Sequence, residues 1–153
     1  MENLIIRTAT IADIVTLRDF EEGVVTAERP FDSTIKKGNV RYYDLEHMIH
    51  AEHIQLLVAE RNNELVGCGY ARIEKAKHYL QHIQHAYLGF MYVAPSHRGK
   101  GINKLIMNAL FEWSQSKNIN EMRLDVYYEN TPAIKAYEKA GFVKHMLEMR
   151  VGL

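Results

Sequence analysis

The chain has 153 residues, of which 47% are hydrophobic and 25% charged, a length and composition typical of one globular domain with its own core. Lys and Arg together number 19, as do Asp and Glu, and the resulting net charge of +0 excludes a chain-wide electrostatic attraction to nucleic acid or to an anionic membrane. Because Cys68 is the only cysteine, an internal disulfide is excluded as well.

The first residues do not show the pattern of a targeting segment. The sequence from Met1 to Ile6 lacks the basic stretch and the longer apolar run of a secretion signal, and no apolar run in the sequence has the length of a membrane span. A single cysteine is compatible with a reducing compartment. We therefore expect a cytoplasmic protein without a membrane partner.

The first part of the chain predicts one strand and two helices. Residues 4–8 form a short apolar stretch typical of a strand, and Thr10 with Asp13 has the spacing of a helix capping box. The helix that follows is interrupted at Arg29, because the next residue is a proline and disfavours a helical conformation before it. After a polar connector, residues 43–53 predict a second helix.

The middle of the chain predicts three strands and a long helix. Residues 55–60 and 64–73 are strand-like, and Asn62-Asn63 between them suits a tight turn because Asn tolerates positive φ. A basic, histidine-rich connector leads to a third strand at residues 86–93. An amphipathic helix is predicted next, since apolar residues recur at steps of three and four, namely Ile102, Leu105, Ile106, Ala109, Leu110 and Trp113.

The last part of the chain predicts a strand, a helix and a strand. Residues 122–128 and 142–151 are strand-like, and between them Thr131 caps a helix that has Pro132 in its first turn and ends at Gly141. The complete order, β-α-α-β-β-β-α-β-α-β, implies an α/β fold with a mixed sheet, antiparallel at the hairpins and parallel across the long helix. Without repeats or linkers, residues 1–153 are expected to form a single domain.

A basic turn with two glycines connects the strand at residues 86–93 to the long helix. Gly99 and Gly101 let the backbone approach a ligand, the helix start offers free N–H groups, and Arg98, Lys100 and Lys104 add positive charge. This pattern predicts an anion site, foremost for phosphate. The turn lacks the third glycine of the dinucleotide fingerprint and the Gly-Lys-Ser/Thr ending of the nucleoside-triphosphate loop.

Two motifs make the chain resemble the GNAT superfamily of N-acetyltransferases. The family's pyrophosphate loop, Arg/Gln-x-x-Gly-x-Gly/Ala, is similar to residues 98–103, except that Asn103 replaces the usual small last residue. The signature Asn-x-x-Ala-x-x-x-Tyr-x-x-x-Gly-Phe is met at every fixed position from Asn130 to Phe142. The resemblance extends over nearly the whole chain and implies a GNAT-like acyl-CoA N-acyltransferase fold with acetyl-CoA as cosubstrate.

The resemblance also implies the positions of the cofactor and of a catalytic acid. A backbone N–H near Met91 would polarise the thioester carbonyl, and Tyr137 would give a proton to the departing thiolate in a direct transfer from acetyl-CoA to an amine. Core packing on an apolar helix face is the alternative role of Tyr137. The implied coenzyme A contacts are Met91, Tyr92, Val93, Arg98, Gly99, Lys100, Gly101, Ile102, Asn103, Lys104, Asn130 and Ala133.

The general base and the acceptor amine stay open in the sequence. The strand before the loop has Tyr87-Leu88-Gly89-Phe90 where many proteins that resemble this one carry a carboxylate, so Glu28, Asp32, His85 and a chain of waters are alternatives. Acidic and aromatic residues suit a primary amine, which would be a small amine, an amino acid or a peptide. The candidate substrate residues are Glu28, Phe31, Asp32, His85 and Tyr87.

No metal site is predicted from the histidines or the cysteine. His78, His82 and His85 fall at helical spacing, but they lack the His-Glu-x-x-His arrangement and a cysteine partner. His82 and His85 are also expected on opposite faces of a strand. Cys68, between two glycines, is interpreted as a small buried residue rather than as an acyl-accepting nucleophile.

Other function classes remain as alternatives. The main one is a non-catalytic coenzyme A sensor or interaction module on the same fold, because Gly89 cannot take a proton. Nucleic-acid binding through residues 98–104 is disfavoured by the zero net charge. An exposed edge at the last predicted strand would let two copies pair as a homodimer.

Overall fold

A computed structural model describes residues 3–153 and contains a five-stranded sheet with α-helices on both faces. The strands within these residues are β1 (Leu4–Thr8), β2 (Ile54–Arg61), β3 (Glu64–Lys75), β4 (Gln84–Val93) and β5 (Met122–Arg123). The α-helices are α1 (Ile14–Glu28), α2 (Leu45–His50), α3 (Ile102–Ser116) and α4 (Thr131–Lys139). Short 3₁₀ turns lie at Ile11–Asp13, Arg29–Phe31 and Pro95–His97. The mixed α/β fold predicted from the order of elements is confirmed.

The strands lie in the order β1-β2-β3-β4-β5, and only the β4–β5 pair is parallel. The β2–β3 hairpin turns at Asn62 and Asn63, whose φ values of 51° and 65° confirm the predicted turn. β4 and β5 pair only through Ala86 with Met122 and Tyr87 with Arg123. Residues 88–93 of β4 therefore separate from the chain that follows β5, and we call the space between them the β4–β5 cleft.

Alternating residues of the strands give the sheet two apolar faces. Leu56 and Val58 of β2 belong to the cluster under α1 and α2, whereas Leu57 and Ala59 belong to the cluster under α3. The helices cover both faces, so the central strands are buried on two sides. Among residues 3–153, no helix combines the length and the apolar character that crossing a bilayer requires.

The end of the chain differs most from its prediction. Residues 142–151 form no strand, and the apolar side chains of Val143, Met146 and Met149 are exposed. β5 contains two residues instead of the predicted 122–128, so it offers too short a ladder for another strand to pair with. The predicted final strand is thus wrong for this structure, and the homodimer that would use its edge stays a prediction.

Two helix starts also differ from their predictions because an aspartate or an asparagine near the predicted start caps the helix. α2 is shorter than residues 43–53, since the Asp44 side chain accepts a hydrogen bond from a backbone N–H in its first turn. α4 is capped by Asn130 rather than Thr131, as Asn130 Oδ1 accepts from the Ala133 N–H at 3.4 Å. The cap therefore lies one residue earlier than the sequence predicted.

Candidate functional site

The predicted anion turn joins the end of β4 to the start of α3. Gly99 and Gly101 have φ values of 77° and 81°, and a Cβ added to either would meet no atom within 4 Å. Glycine is required here by the left-handed backbone and not by crowding. The side chain of Ile102 is buried in the core, so only the backbone N–H of this residue is available to a ligand of the turn. The side chains of Lys100 and Lys104 are exposed. The first N–H groups of α3 have no acceptor within the helix and face open space, which suits a phosphate group.

Arg98 ties this turn to the strand before it. Its Nε donates a hydrogen bond to the Val93 carbonyl oxygen at 2.9 Å, and its guanidinium carbon lies 5.6 Å from the centre of the Tyr92 ring. Arg98 is exposed, so its terminal nitrogens remain accessible to a ligand. The side chain therefore holds the turn as well as adding the charge that the sequence predicted.

β4 contains a bulge just before the turn. Tyr70 pairs with Gly89 and Cys68 with Tyr92, so two residues of β4, Phe90 and Met91, lie opposite one residue of β3. Phe90 has a φ of 50°, and its carbonyl oxygen accepts a hydrogen bond from the Cys68 thiol at 3.4 Å. Such a bulge interrupts the ladder and redirects backbone groups, which is frequent beside active sites. It lies at the position where a backbone N–H near Met91 was expected to contact a thioester.

Helix α4 forms the opposite wall of the β4–β5 cleft. Tyr137 packs against the same core cluster as Met91 and Val93, and its ring contacts Phe142 edge to face with 5.8 Å between centroids. Burial raises the pKa of the Tyr137 hydroxyl, and the negative charge of Glu28 adds to this shift. Tyr137 is thus a protonated hydroxyl at neutral pH, as a general acid must be. The ring of Tyr137 can therefore pack in the core while its hydroxyl acts as a proton donor.

The connector between α1 and α2 is fastened to α1. The buried carboxylate of Glu21 accepts hydrogen bonds from the backbone N–H groups of Tyr42 and Tyr43 at 2.7 and 2.8 Å. The Arg29 guanidinium donates to the carbonyl oxygens of Lys36 and Gly38, both at 2.8 Å. These bonds give a long loop a defined course, so the acidic and aromatic residues that it carries are held in place.

Asp32 is held by several donors at the start of this connector. Its carboxylate accepts from the Tyr127 hydroxyl at 2.8 Å and from the Thr34 backbone N–H at 2.9 Å, and the Thr34 hydroxyl donates as well. The ring of Phe31 stacks on Tyr127 with 6.0 Å between centroids. The Thr34 hydroxyl is the largest cause of a lowered pKa at Asp32. Asp32 therefore stays ionised beside two aromatic rings, an arrangement that suits a cation.

Glu28, the last residue of α1, has a different environment from Asp32. The side chain is partly buried, and this burial raises the pKa of its carboxyl. The Tyr42 hydroxyl, a hydrogen-bond partner, opposes the shift, and the charge of Asp32 adds to it. Burial and the hydrogen bond to the Glu28 carboxylate raise the pKa of Tyr42 to about 12. Two neighbouring carboxyl groups thus have opposite pKa shifts.

The predicted substrate residue Tyr87 lies on the sheet at the closed end of the cleft. Its hydroxyl donates to Asp125 Oδ2 at 3.2 Å, just beyond β5. At Gly89, an added Cβ would lie 2.6 Å from Tyr70 Oη, so the Tyr70 ring occupies the space over this glycine. Gly89 is therefore a packing requirement of Tyr70, a reason that the sequence did not reveal.

His85 belongs to a polar cluster at the start of β4, away from the anion turn. Its Nε2 lies 3.5 Å from Glu74 Oε1, and its Nδ1 lies 3.2 Å from His82 Nε2. The expectation that His82 and His85 point to opposite faces is wrong, because β4 begins at Gln84 and His82 lies in the bend before it. Across residues 3–153, no group of three or more His, Cys, Asp or Glu side chains is arranged to hold a metal ion. His85 and the anion turn thus lie at opposite ends of β4.

The structure brings together most of the predicted site residues around one cleft. Met91 and Val93 of β4 pack against the same core cluster as Tyr137 of α4, and the turn at residues 98–104 follows β4 directly. The sequence did not single out Tyr127 and Asp125, although both follow β5, whose carboxyl end faces the cleft beside its parallel neighbour β4. Ligands commonly bind at the carboxyl ends of parallel strands, so this position was a usable signal.

Comparisons with known proteins agree with this architecture. Residues 18–142 match the sequence model of the acetyltransferase (GNAT) family. A crystal structure of a mutant of the BH1408 protein from Bacillus halodurans superposes with a TM-score of 0.87 at 21% identity, covering 97% of this chain and 99% of that one. A predicted acetyltransferase of Clostridium acetobutylicum, crystallised with acetyl-CoA, gives a TM-score of 0.73 at 18% identity, covering 97% and 96%. Likeness at these identities shows the fold.

Among curated sequences, an aminoglycoside N(6')-acetyltransferase type 1 of Salmonella typhimurium is 28% identical over 102 residues, which cover 65% of this chain and 69% of the relative. The chain spans only 20% to 47% of the length of the first curated relatives that it matches.

Proposed function

Because the chain belongs to the acetyltransferase (GNAT) family, we propose that it transfers the acetyl group of acetyl-CoA directly to a primary amine while both are bound. One observation carries this proposal. The anion turn lies at the end of the bulged strand β4, and Tyr137 packs against the same core cluster as Met91 and Val93. A diphosphate held at the turn would place a pantetheine arm along β4, with its thioester at the bulge beside Tyr137.

The turn and the two walls of the cleft supply the cofactor contacts. The N–H groups of Ile102, Asn103 and Lys104, at the start of α3, would bind the pyrophosphate with Lys100 and Arg98 close by. Residues 91–93 would pair with the pantetheine arm, and a backbone N–H near Met91 would stabilise the oxyanion. Asn130 and Ala133 start the opposite wall. The C. acetobutylicum neighbour crystallised with acetyl-CoA supports this choice of cosubstrate.

The proposed reaction needs one proton donor at the sulfur. The neutral amine nitrogen attacks the thioester carbonyl carbon, the carbon–sulfur bond breaks, and the departing thiolate takes the proton of the Tyr137 hydroxyl. The proton that the nitrogen loses restores this hydroxyl. The raised pKa of Tyr137 keeps this hydroxyl protonated at neutral pH. No acyl-enzyme intermediate is required, which agrees with the complete burial of Cys68.

The acceptor that fits this cleft is a cationic primary amine. Asp32 stays ionised next to the rings of Phe31 and Tyr127, and Glu28 provides a second carboxyl group nearby. The aminoglycoside acetyltransferase relative acts on an amine of this kind by its name. Small amines, amino acids and peptides all carry a primary amine, so each of these classes is a candidate acceptor.

A screen of primary amines with acetyl-CoA tests the proposal, with thiol release as the rate and mass spectrometry of the acetylated amine as the product assay. We expect turnover with cationic amines and none without an amine. Replacing Lys100 and Lys104 together by Ala should weaken coenzyme A binding measured by calorimetry, whereas replacing the exposed Lys144 and Lys139 should not.

The second candidate is a coenzyme A sensor that catalyses no transfer. The absence of a carboxylate among residues 87–90 of β4 favours it. Tight coenzyme A binding together with no acetylated product from any amine in the screen would establish the sensor and contradict the enzyme.

A further inference from the structure

The acceptor amine must lose a proton before it can attack, because an ammonium nitrogen has no lone pair. Strand β4 offers no carboxylate for this step over residues 87–90, and at Gly89 the space above the strand is filled by the Tyr70 ring. The base therefore has to come from another element that faces the cleft.

Two of the carboxylates near the cleft, Asp32 and Glu74, already have other partners. Asp32 accepts from Tyr127 and from both donors of Thr34. Glu74 pairs with Arg72, with 2.6 Å between its Oε2 and the nearer Arg72 nitrogen, and also faces His85. The Thr34 hydroxyl lowers the pKa of Asp32, which makes this carboxylate a weak proton acceptor, and Arg72 occupies Glu74.

Asp125 accepts from the Tyr87 hydroxyl at 3.2 Å and is exposed. Asp125 follows the two paired residues of β5, and its hydrogen bond ties it to Tyr87 on the sheet and not to the connector between α1 and α2.

Glu28 is placed differently. It ends α1, the helix that contacts the end of β4 through Phe20 and Tyr92, whose ring centroids are 4.9 Å apart. Its hydrogen-bond partner Tyr42 precedes Tyr43, whose ring stacks on Phe90 of the β4 bulge with 4.5 Å between centroids. The loop that carries its partner Tyr42 is fixed by the hydrogen bonds to Glu21. Glu28 is thus a partly buried carboxyl group on the acceptor side of the cleft.

We propose that Glu28 is the general base that deprotonates the acceptor ammonium, with Tyr42 as its positioning residue; this inference rests on the proposed acetyl transfer. Glu28 takes one proton from the ammonium, and the neutral amine then attacks the thioester carbon. The expelled thiolate takes the Tyr137 proton, the remaining proton lost by the nitrogen restores Tyr137, and Glu28 releases its proton to water. One proton is released in each turnover.

Asp32 and Glu28 are nearby carboxyl groups in different environments, and this difference assigns them different roles. Asp32, whose pKa is lowered, would hold positive charge on the acceptor, and Glu28, whose pKa is raised by burial, would exchange protons. A carboxylate of raised pKa is a stronger base at working pH than an exposed one. The titratable groups that act on Glu28 or are acted on by it are Asp32, Tyr42, Tyr43, Tyr127 and Tyr137.

The test compares Glu28→Gln with Glu22→Gln, a matched change at an exposed position of the same helix. With an amine identified by the screen, kcat/KM of Glu28→Gln should fall about 100-fold at neutral pH, whereas Glu22→Gln should match the wild type. The acidic limb of the wild-type profile should report a group whose pKa is above the ordinary 4.5 of a glutamate, and Glu28→Gln should lack this limb. Coenzyme A affinity and thermal unfolding of both variants should be unchanged.

A base is distinguished from a structural residue by rescue at high pH. As the pH approaches the pKa of an alkylamine, about 10, the free amine no longer needs a base, so the deficit of Glu28→Gln should shrink. Glu28→Asp, which keeps the carboxylate, should retain part of the activity. A deficit of Glu28→Gln that is the same at every pH, or no deficit, would overturn the assignment of Glu28. A wild type that binds coenzyme A and acetylates no amine would instead contradict the proposed function.

Discussion

The ring of Tyr92 lies directly against Gly23 of α1, so that a Cβ added to Gly23 would stand 2.7 Å from Tyr92 Oη. The same ring contacts Phe20 on one side and the Arg98 guanidinium on the other. Because Arg98 in turn holds the anion turn to Val93, a small residue in α1 determines how the end of β4 meets the turn. Helix α1 thus contacts both the acceptor side and the cofactor side of the cleft.

Gly23→Ala should therefore weaken the cofactor site although alanine favours a helix by about 1 kcal/mol. The added methyl group forces the Tyr92 ring out of its position, at a cost of about 1–3 kcal/mol typical of overpacking. We expect lower stability in urea unfolding and a higher coenzyme A Kd by calorimetry. In a Tyr92→Ala background the same change should stabilise the protein, and a loss of stability there would contradict the steric explanation.

Gly101→Ala should weaken coenzyme A binding through the backbone alone. A Cβ at this position meets no atom within 4 Å, but φ is 81°, a conformation that costs a residue other than glycine about 1–2 kcal/mol. Gly38 is a matched control, with a φ of 84°, equally open space and a position in the α1–α2 connector. Both substitutions should lower stability by similar amounts, and only Gly101→Ala should raise the coenzyme A Kd. Equal Kd values for the two variants would contradict a phosphate contact at the start of α3.

The parts of the fold that depend on local backbone preferences could be predicted from the sequence. The pair Asn62-Asn63 and the glycines at 99, 101 and 141 indicated turns, and all of them have positive φ. Thr10 and Asp13 indicated a helix start, and the Thr10 N–H donates to Asp13 Oδ2 at 2.8 Å. In each case the residues that indicate a turn or a helix start lie within a few positions of that turn or helix.

Contacts between distant residues could not be predicted in the same way. Residues 142–151 were predicted to form a strand, but a strand also needs a neighbour, and the two-residue β5 does not supply one. Tyr127 and Asp32 are 95 positions apart, so nothing in either segment indicates their hydrogen bond. The Tyr70 ring over Gly89 likewise depends on the pairing of two strands. The position of the turn before α3 and that of Tyr137 in α4 were thus predictable, whereas the contacts around Asp32 and Gly89 were not.

Asp13→Asn should lower stability and remove part of its pH dependence. Asp13 is buried and accepts from Arg7 at 2.8 and 2.9 Å, and this pairing is the largest cause of its lowered pKa. A carboxyl group whose pKa is lower in the folded state adds stability above the ordinary value of 3.8, and this contribution is lost as the pH falls through the folded value. The free energy of unfolding in urea should fall by about 1–3 kcal/mol at neutral pH.

The difference between Asp13→Asn and the wild type should shrink as the pH falls below 3.8. Asp19→Asn, a change at an exposed position of α1, should show neither effect. A difference that stays constant down to acid pH would show that Asp13 acts through packing and not through its charge.

Tyr137→Phe should lower kcat and leave the KM for acetyl-CoA nearly unchanged. Phenylalanine keeps the ring and its edge-to-face contact with Phe142, so the change removes the hydroxyl proton without removing the packing. A lost general acid typically lowers the rate by about 100-fold or more. Tyr128→Phe, at an exposed position just before α4, is the matched control and should behave as wild type.

The pH dependence of kcat separates a catalytic Tyr137 from one that only packs. A general acid is active while protonated, and the pKa of Tyr137 is raised by burial and by Glu28, so the alkaline limb of the wild-type profile should lie above 10, the ordinary value of a tyrosine. Tyr137→Phe should lack this limb in its residual activity. If the kcat of Tyr137→Phe matches the wild type at every pH, Tyr137 only packs the core and the thiolate takes its proton from water.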